Sequence, residues 1–310
     1  MLPIEQKKIK VDNYGVTILD PELKKNITRK NLSPSLVNGI IASPGNWVLS
    51  NYIGPLVQIE EPIYFARGKW FHSILETLFK NGIGESLSES LKAATMEVTQ
   101  ENDCYKDLLQ DPENKDWINR CLRGFLSLEE DHKFTEWTVA TMPLGKYPKE
   151  GIEFFARTKF DWLKTTFLGF IDLLVEKEDG LQIVDWKTGK MKAGNPEYRL
   201  QQTSYAMALE DLGYKVSSAC LIFPIGREDR GTTEWIDIHS DEVRQETKER
   251  ILEGDKILTN CKETFFFPWK REKSVYTLDW QYYFIGYGRG YPLKVHHDKL
   301  LAISDIEGLS

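Results

Sequence analysis

Hydrophobic and polar positions follow two different rhythms along this chain. From Arg67 to Asn81 they recur at helical spacing, with Trp70, Phe71, Ile74, Leu75, Leu78 and Phe79 on one side. Upstream, Ser33 reads as an N-cap and Pro34 as the first turn of a helix. Pro44-Gly45 ends that helix, and a further short one is expected from Trp47 to Tyr52. Helices are also expected near 85–99 and 113–131. Beyond Glu136 the rhythm changes. Trp137–Met142, Ile152–Leu163, Thr166–Glu176 and Leu181–Lys187 are rich in β-branched and aromatic residues and read as strands, the last two joined by a tight turn at Glu178-Asp179-Gly180. A helix from Glu197 to Leu212, closed by Gly213, precedes a strand from Val216 to Phe223. A polar helix runs from Asp241 to Asn260. Residues 1–30 are polar and lysine-rich with little periodicity, and are expected to form an arm that is loose or packs late.

Helices, then antiparallel strands, then a helix and a strand predict an α/β fold. After the arm, 31–310 is expected to be one domain. Its parts are a mainly helical segment (31–135), a core (136–225), and a C-terminal helix and tail (226–310).

Composition narrows the classes. The chain has 310 residues, 41% hydrophobic and 12% aromatic, enough for a substantial core. A net charge of −7 excludes a basic coat over the whole surface, though not a local basic groove. The charge is uneven: Glu101–Glu136 holds ten acidic and five basic residues, Lys187–Arg199 four basic and one acidic. The four cysteines form no CxxC pair, so neither a zinc knuckle nor a disulfide framework is expected, and a reducing compartment fits. MLPIEQKKIK lacks the apolar core of a signal peptide, and no run approaches the ~18 apolar residues of a membrane span. A cytoplasmic protein, not secreted and with no membrane partner, is the expectation.

Candidate chemistry starts at Val184-Asp185-Trp186-Lys187-Thr188-Gly189-Lys190, at the end of an apolar strand. Strand alternation points Asp185 and Lys187 to one side, Val184 and Trp186 to the other. A carboxylate or an ammonium off water is costly unless compensated. Taken alone, the pair reads equally well as a surface hairpin ion pair. Asp172, in the apolar strand before it, changes that balance. A hairpin through Glu178-Asp179-Gly180 brings Asp172 and Asp185 together, and two such carboxylates call for a cation between them. A hard divalent ion with oxygen ligands fits. Lys187 beside it could orient a water or stabilise charge on a phosphoryl group. Gln201 and Tyr205, spaced i, i+4 on the next helix, could fix the water, the lysine or a phosphate. His72 and Glu76 have the same spacing on the Arg67–Asn81 helix. The imidazole is a candidate ligand, while Glu76 could ligate or pair with a helix neighbour.

Together these residues resemble a PD-(D/E)XK nuclease of the RecB-like exonuclease group. The resemblance rests on Gly169…Asp172, Asp185-Trp186-Lys187-Thr188-Gly189, Gln201…Tyr205, and Gly68-Lys69-Trp70-Phe71-His72 with Glu76. Ser33-Pro34-Ser35-Leu36, followed by Ser43-Pro44 and Trp47, resembles the group's N-terminal helix. The segment from Phe167 to Tyr205, with Asn195-Pro196, is especially similar to the mitochondrial genome maintenance exonucleases. The likeness spans roughly Ser33 to Phe223; each motif is weak alone, and the four in order are specific.

The resemblance implies a core of central mixed β-sheet flanked by helices, with a helical N-terminal part. It implies a metal-dependent deoxyribonuclease acting on single-stranded DNA or duplex ends in replication, recombination or repair, alongside a single-strand-binding or recombination protein. A phage source would suit a compact nuclease without a helicase domain, its location then being the host cytoplasm. His72, Asp172, Asp185 and the Trp186 backbone carbonyl would hold Mg²⁺ or Mn²⁺. Asp172, Asp185, Lys187, Gln201 and Tyr205 would carry catalysis. The group often adds a glutamate from the first core strand, and Glu136 and Glu153 are both candidates. Ser43 stands where many relatives have the first of four iron–sulfur cysteines, and no C-terminal cysteine trio follows, so no cluster is expected. No Walker A loop appears, so no ATP use is expected. Lys190, Lys192 and Arg199 read equally as solvated charges or as a phosphate-binding rim. The aromatic tail from Phe265 to Trp269, with Tyr276, Trp280, Tyr282 and Tyr283, reads as core packing more readily than as a base-stacking surface. An endonuclease of the same fold and a catalytically silent DNA-binding or recombination module are the alternatives.

Overall fold

In the computed structural model the described residues are 9–11, 14–49, 51, 63–143, 149–189, 191–225 and 230–269, with the backbone of 306–307. The order begins β1 (Ile9–Val11), β2 (Gly15–Ile18), α1 (Pro21–Thr28), α2 (Pro34–Ala42), α3 (Pro44–Val48). It continues α4 (Ile63–Asn81), α5 (Leu87–Glu101), α6 (Asp103–Gln110), α7 (Pro112–Leu126), α8 (Glu129–His132). Then come β3 (Thr138–Val139), β4 (Thr141–Met142), β5 (Lys149–Glu150), β6 (Ile152–Thr158), β7 (Phe167–Lys177) and β8 (Gly180–Trp186). The last are α9 (Pro196–Asp211), β9 (Val216–Phe223), β10 (Thr232–Ile236), α10 (Asp241–Thr264), β11 (Phe266–Pro268) and β12 (Ile306–Glu307).

The chain divides into two compact units. The first comprises Met1–Glu60, Lys159–Phe167 and Lys248–Ser310. Its sheet has the order β11-β2-β1-β12. The polar composition of the first thirty residues conceals this. Among the lysines, Ile9, Val16 and Ile18 are buried, and Ile27 is buried on α1. Trp47 and Phe267 pack in the same unit, with ring centroids 6.0 Å apart. Ser33 caps α2 as expected, its Oγ accepting from the Leu36 N–H. Ser43, fully buried, ends that helix and caps α3 through the Asn46 N–H. Of the aromatic tail, Phe267 is core and forms part of β11; Tyr276, Trp280, Tyr282 and Tyr283 lie outside the described residues.

The second unit comprises Glu61–Thr158 and Leu168–Thr247. Its mixed sheet has the order β10-β9-β8-β7-β3, with β6 also on β7. β7 and β8 form the expected antiparallel hairpin, Lys177 opposite Gly180, and α9 carries the chain over to β9, which runs parallel to β8. One face of the sheet is covered by α4, α5 and α7. Phe71, Ile74 and Phe79 of α4 and Phe125 of α7 pack there with Leu173, Val184, Trp186 and Ile222. The other face carries α9, which packs on β6, β8 and β9. This is the α/β architecture the sequence predicts, a mixed sheet flanked by helices.

Several elements differ from expectation, among them the short helix expected from Trp47, which is found as α3 at Pro44–Val48. The strand from Ile152 stops at Thr158; the residues that follow, from Lys159, belong to the first unit, where Phe160 and Leu163 are buried. Trp137–Met142 splits at Ala140 into β3, paired with β7, and β4, paired with β5. Asp111 caps α7 at Pro112, which separates it from the unanticipated α6. Among the described residues, no helix is long and apolar enough to cross a membrane.

Candidate active site

The hairpin register decides where the acids fall. Leu173 opposes Val184, so the next opposed pair, at the open end of the ladder, is Asp172 and Asp185. The Trp186 N–H, where the ladder ends, donates to Asp172 Oδ2 at 2.8 Å. Trp186 points away, its ring stacked on Phe79 and edge-on to Phe125. Asp185 is almost wholly buried. Its compensation comes from Lys187 Nζ, 2.6 Å from Oδ2, and from Gln201 Nε2, which donates to Oδ1 at 3.0 Å.

α9 supplies the support for that pair. Asn195 caps it, Pro196 starts it, and one side then presents Tyr198, Gln201 and Tyr205 at i, i+3, i+7. Gln201 Oε1 accepts from Lys187 Nζ at 2.9 Å, and Gln201 Nε2 also donates to the Tyr205 hydroxyl at 3.2 Å. The Tyr198 ring lies under the ammonium at 5.3 Å. Burial opposes the charge on Lys187, but Asp185 outweighs it and holds the ammonium above the usual lysine range. Lys187 is thus held as an ammonium. Burial also pushes the Tyr205 phenol up, so it stays neutral. Gly169 is the place where β7 meets this helix: a Cβ there would lie 2.6 Å from the Tyr205 ring. Gly169→Ala is expected to lower stability by about 1–3 kcal/mol through overpacking. A thermal melt that matches the parent would contradict this.

α4 and β6 bring two more groups to the open end of the strands. His72 Nδ1 is 3.5 Å from Asp172 Oδ2. Glu153, at the start of β6, has φ of 44°, a left-handed conformation that strains a non-glycine residue. His72, Glu153 and Asp172 each offer a ligand atom, all within 4.8 Å of one another. Burial, then Asp185, raises the Asp172 carboxyl well above the usual range. Burial and the nearby Glu76 and Asp185 raise Glu153. Burial lowers the His72 imidazole, which favours the neutral, ligating form. Converging carboxylates, each disfavouring the others' charge, are what a divalent cation relieves. Two oxygen donors and one imidazole suit Mg²⁺ or Mn²⁺.

The remaining candidates separate. Of the two glutamates, Glu153 joins the cluster, while Glu136 is exposed and lies 3.7 Å from Lys133. Glu76 is exposed and lines the cleft with His72 and Glu153 without joining the three-donor group. Asp185 is held by Lys187 and Gln201 rather than in that group. Arg199 pairs with Glu246 at 3.4 Å, Lys192 is exposed, and Lys190 lies outside the described residues. The cleft, of about 710 Å³, is lined by Phe65, His72, Tyr105, Trp117, Glu153 and Lys187 among others. Tyr198 was not anticipated, although its position one helical turn before Gln201 could have revealed it.

A model of the PD-(D/E)XK nuclease superfamily matches residues 31–271. The chain belongs to that superfamily. As a PD-(D/E)XK nuclease it is a phosphodiester hydrolase of a group that generally works with divalent metals. No curated protein matches the chain in sequence. A solved structure from Eubacterium rectale, provisionally named an exonuclease, is 11% identical with a TM-score of 0.46, covering 83% of this chain and 91% of its own. The solved protein SSO0001 is 13% identical with a TM-score of 0.26, covering 64% of this chain and 81% of its own. Scores this low add nothing to the fold assignment.

Proposed function

We propose that this PD-(D/E)XK nuclease is a metal-dependent DNA exonuclease acting on single strands or exposed ends. The observation that carries this is the convergence of His72, Glu153 and Asp172 beside an ammonium held charged by Asp185. In this reading those three residues hold Mg²⁺ or Mn²⁺, with Asp185 and the Trp186 carbonyl completing the set. When bound, the ion polarises the scissile phosphate and lowers the pKa of a water. Lys187 donates to the attacking water or to phosphate oxygens as negative charge grows. Gln201 keeps Lys187 and Asp185 in register, and neutral Tyr205 anchors Gln201.

An exonuclease is favoured by the wall beside the cleft. Tyr105 of α6 and Trp117 of α7 line it with Phe65 of α4, confining the space next to the metal ligands. The acidic total charge suits a protein that engages DNA in one channel. Replication, recombination or repair is the setting that fits, with a single-strand-binding or recombination protein as partner. Incubation with Mg²⁺ or Mn²⁺ and matched linear and closed circular DNA tests it: linear DNA is expected to be degraded to mononucleotides or short products and circles to persist. Cleavage of circles would make it an endonuclease. Binding of DNA without degradation of either form would make it a silent module.

A further inference from the structure

β6 and β7 carry a second cross-strand contact beside the metal ligands. Glu153 and Asp172 form the first. Two residues along each strand, Phe155 and Phe170 meet with ring centroids 4.9 Å apart and planes 39° from parallel. At about 3.3 Å per residue, that places the aromatic pair some 7 Å from the carboxylates. Phe170 is 59% exposed, whereas Phe154 and Trp186 of the neighbouring strands β6 and β8 are buried; Trp235, on the far edge strand β10, is the other largely exposed ring of this sheet among the described residues. A ring so placed, on the strand that carries Asp172, is open to contact from solution. Arg157, exposed, follows two residues after Phe155. Along one strand the chemistry therefore runs carboxylate, aromatic, guanidinium, at successive alternate positions.

We propose that Phe170, supported by Phe155, is a stacking platform for one unpaired nucleobase, and that Arg157 contacts the phosphate beyond it. This rests on the proposed metal site: the scissile phosphate lies at Glu153 and Asp172, and the strand runs from there across β6 and β7. A base can lie on Phe170 only if it has left its duplex partner, so the platform selects single strands or frayed ends. Stacking on an aromatic ring is tolerant of base identity, which suits an enzyme that digests without regard to sequence.

The test uses the full-length protein and a single-stranded oligonucleotide carrying 2-aminopurine, read by fluorescence quenching and by anisotropy with Ca²⁺ in place of Mg²⁺. The parent is expected to quench the probe. Phe170→Ala is expected to lose the quenching and raise Kd for single strands about 5- to 100-fold, the range measured for loss of one stacked base. Phe170→Trp should restore both. Arg157→Ala should weaken binding and flatten its salt dependence while leaving the quenching in place. With Mg²⁺, Phe170→Ala should raise KM on single strands more than it lowers kcat. Unchanged quenching and unchanged Kd in Phe170→Ala overturn the platform, and equal weakening on single strands and blunt duplexes overturns the selection of unpaired bases. A parent that binds and quenches but never cleaves with Mg²⁺ or Mn²⁺ refutes the nuclease reading instead, so the two failures are distinguishable.

Discussion

Lys187→Gln is expected to lower kcat on linear DNA by about 10²–10³-fold, the usual loss when one preorganised donor to a developing anion is removed. The substitution keeps a hydrogen-bonding head and much of the stem but deletes the charge. In the parent, that charge sits 2.6 Å from Asp185 and 2.9 Å from Gln201, over the Tyr198 ring. Neither contact turns it towards the core; both leave it facing the cleft that His72 and Glu153 also line. KM should change little, because the interaction strengthens in the transition state rather than in the ground state. The melting temperature should fall, since Asp185 is buried and loses its cation. Steady-state kinetics on an end-labelled oligonucleotide decide the matter. A kcat within tenfold of the parent would remove Lys187 from the chemistry.

Asp172→Asn should separate stability from activity. Asp172 and Asp185 face one another at the end of the hairpin, near Glu153, and burial with Asp185 already raises the Asp172 carboxyl. Like charges opposed across a strand pair cost up to about 1 kcal/mol. The amide removes that repulsion and can still accept the Trp186 N–H. In EDTA the variant is therefore expected to melt about 1–2 °C higher than the parent. With Mn²⁺ the order reverses. A ligand at 100 times its Kd stabilises the parent by about 2.7 kcal/mol, and the variant loses most of that gain together with cleavage. Differential scanning calorimetry with and without Mn²⁺ measures both. An equal Mn²⁺ shift in parent and variant would show that Asp172 does not hold the ion.

Much of the candidate site was legible because its spacings are local. Asp185 and Lys187 alternate on one strand, Gln201 and Tyr205 lie one helical turn apart, and the turn at Gly180 couples the two strands whose register opposes Asp172 to Asp185. Such relations depend only on strand and helix periods, which a sequence carries directly. Glu153 was less accessible. Its competitor Glu136 is exposed beside Lys133, whereas Glu153, on β6 and with a left-handed φ, has a carboxylate oxygen within 4.8 Å of ligand atoms of His72 and Asp172. No residue type announces that φ. The first unit was hidden for a related reason: β1 and β2 are 3 and 4 residues long and set among lysines, too short for alternation to register.

Thus the amino-acid order alone determines most of the strands and helices of the second unit, the β7–β8 hairpin, and the acid–lysine–glutamine set that periodicity places together. Packing decides the rest. It brings Glu153 within 4.8 Å of His72 and Asp172, turns Asp185 towards Lys187 and Gln201, places the Tyr198 ring beneath the ammonium, and leaves Phe170 bare beside Phe155. These are contacts between elements far apart in the chain, set by how side-chain volumes fit across a sheet, and no local period encodes them.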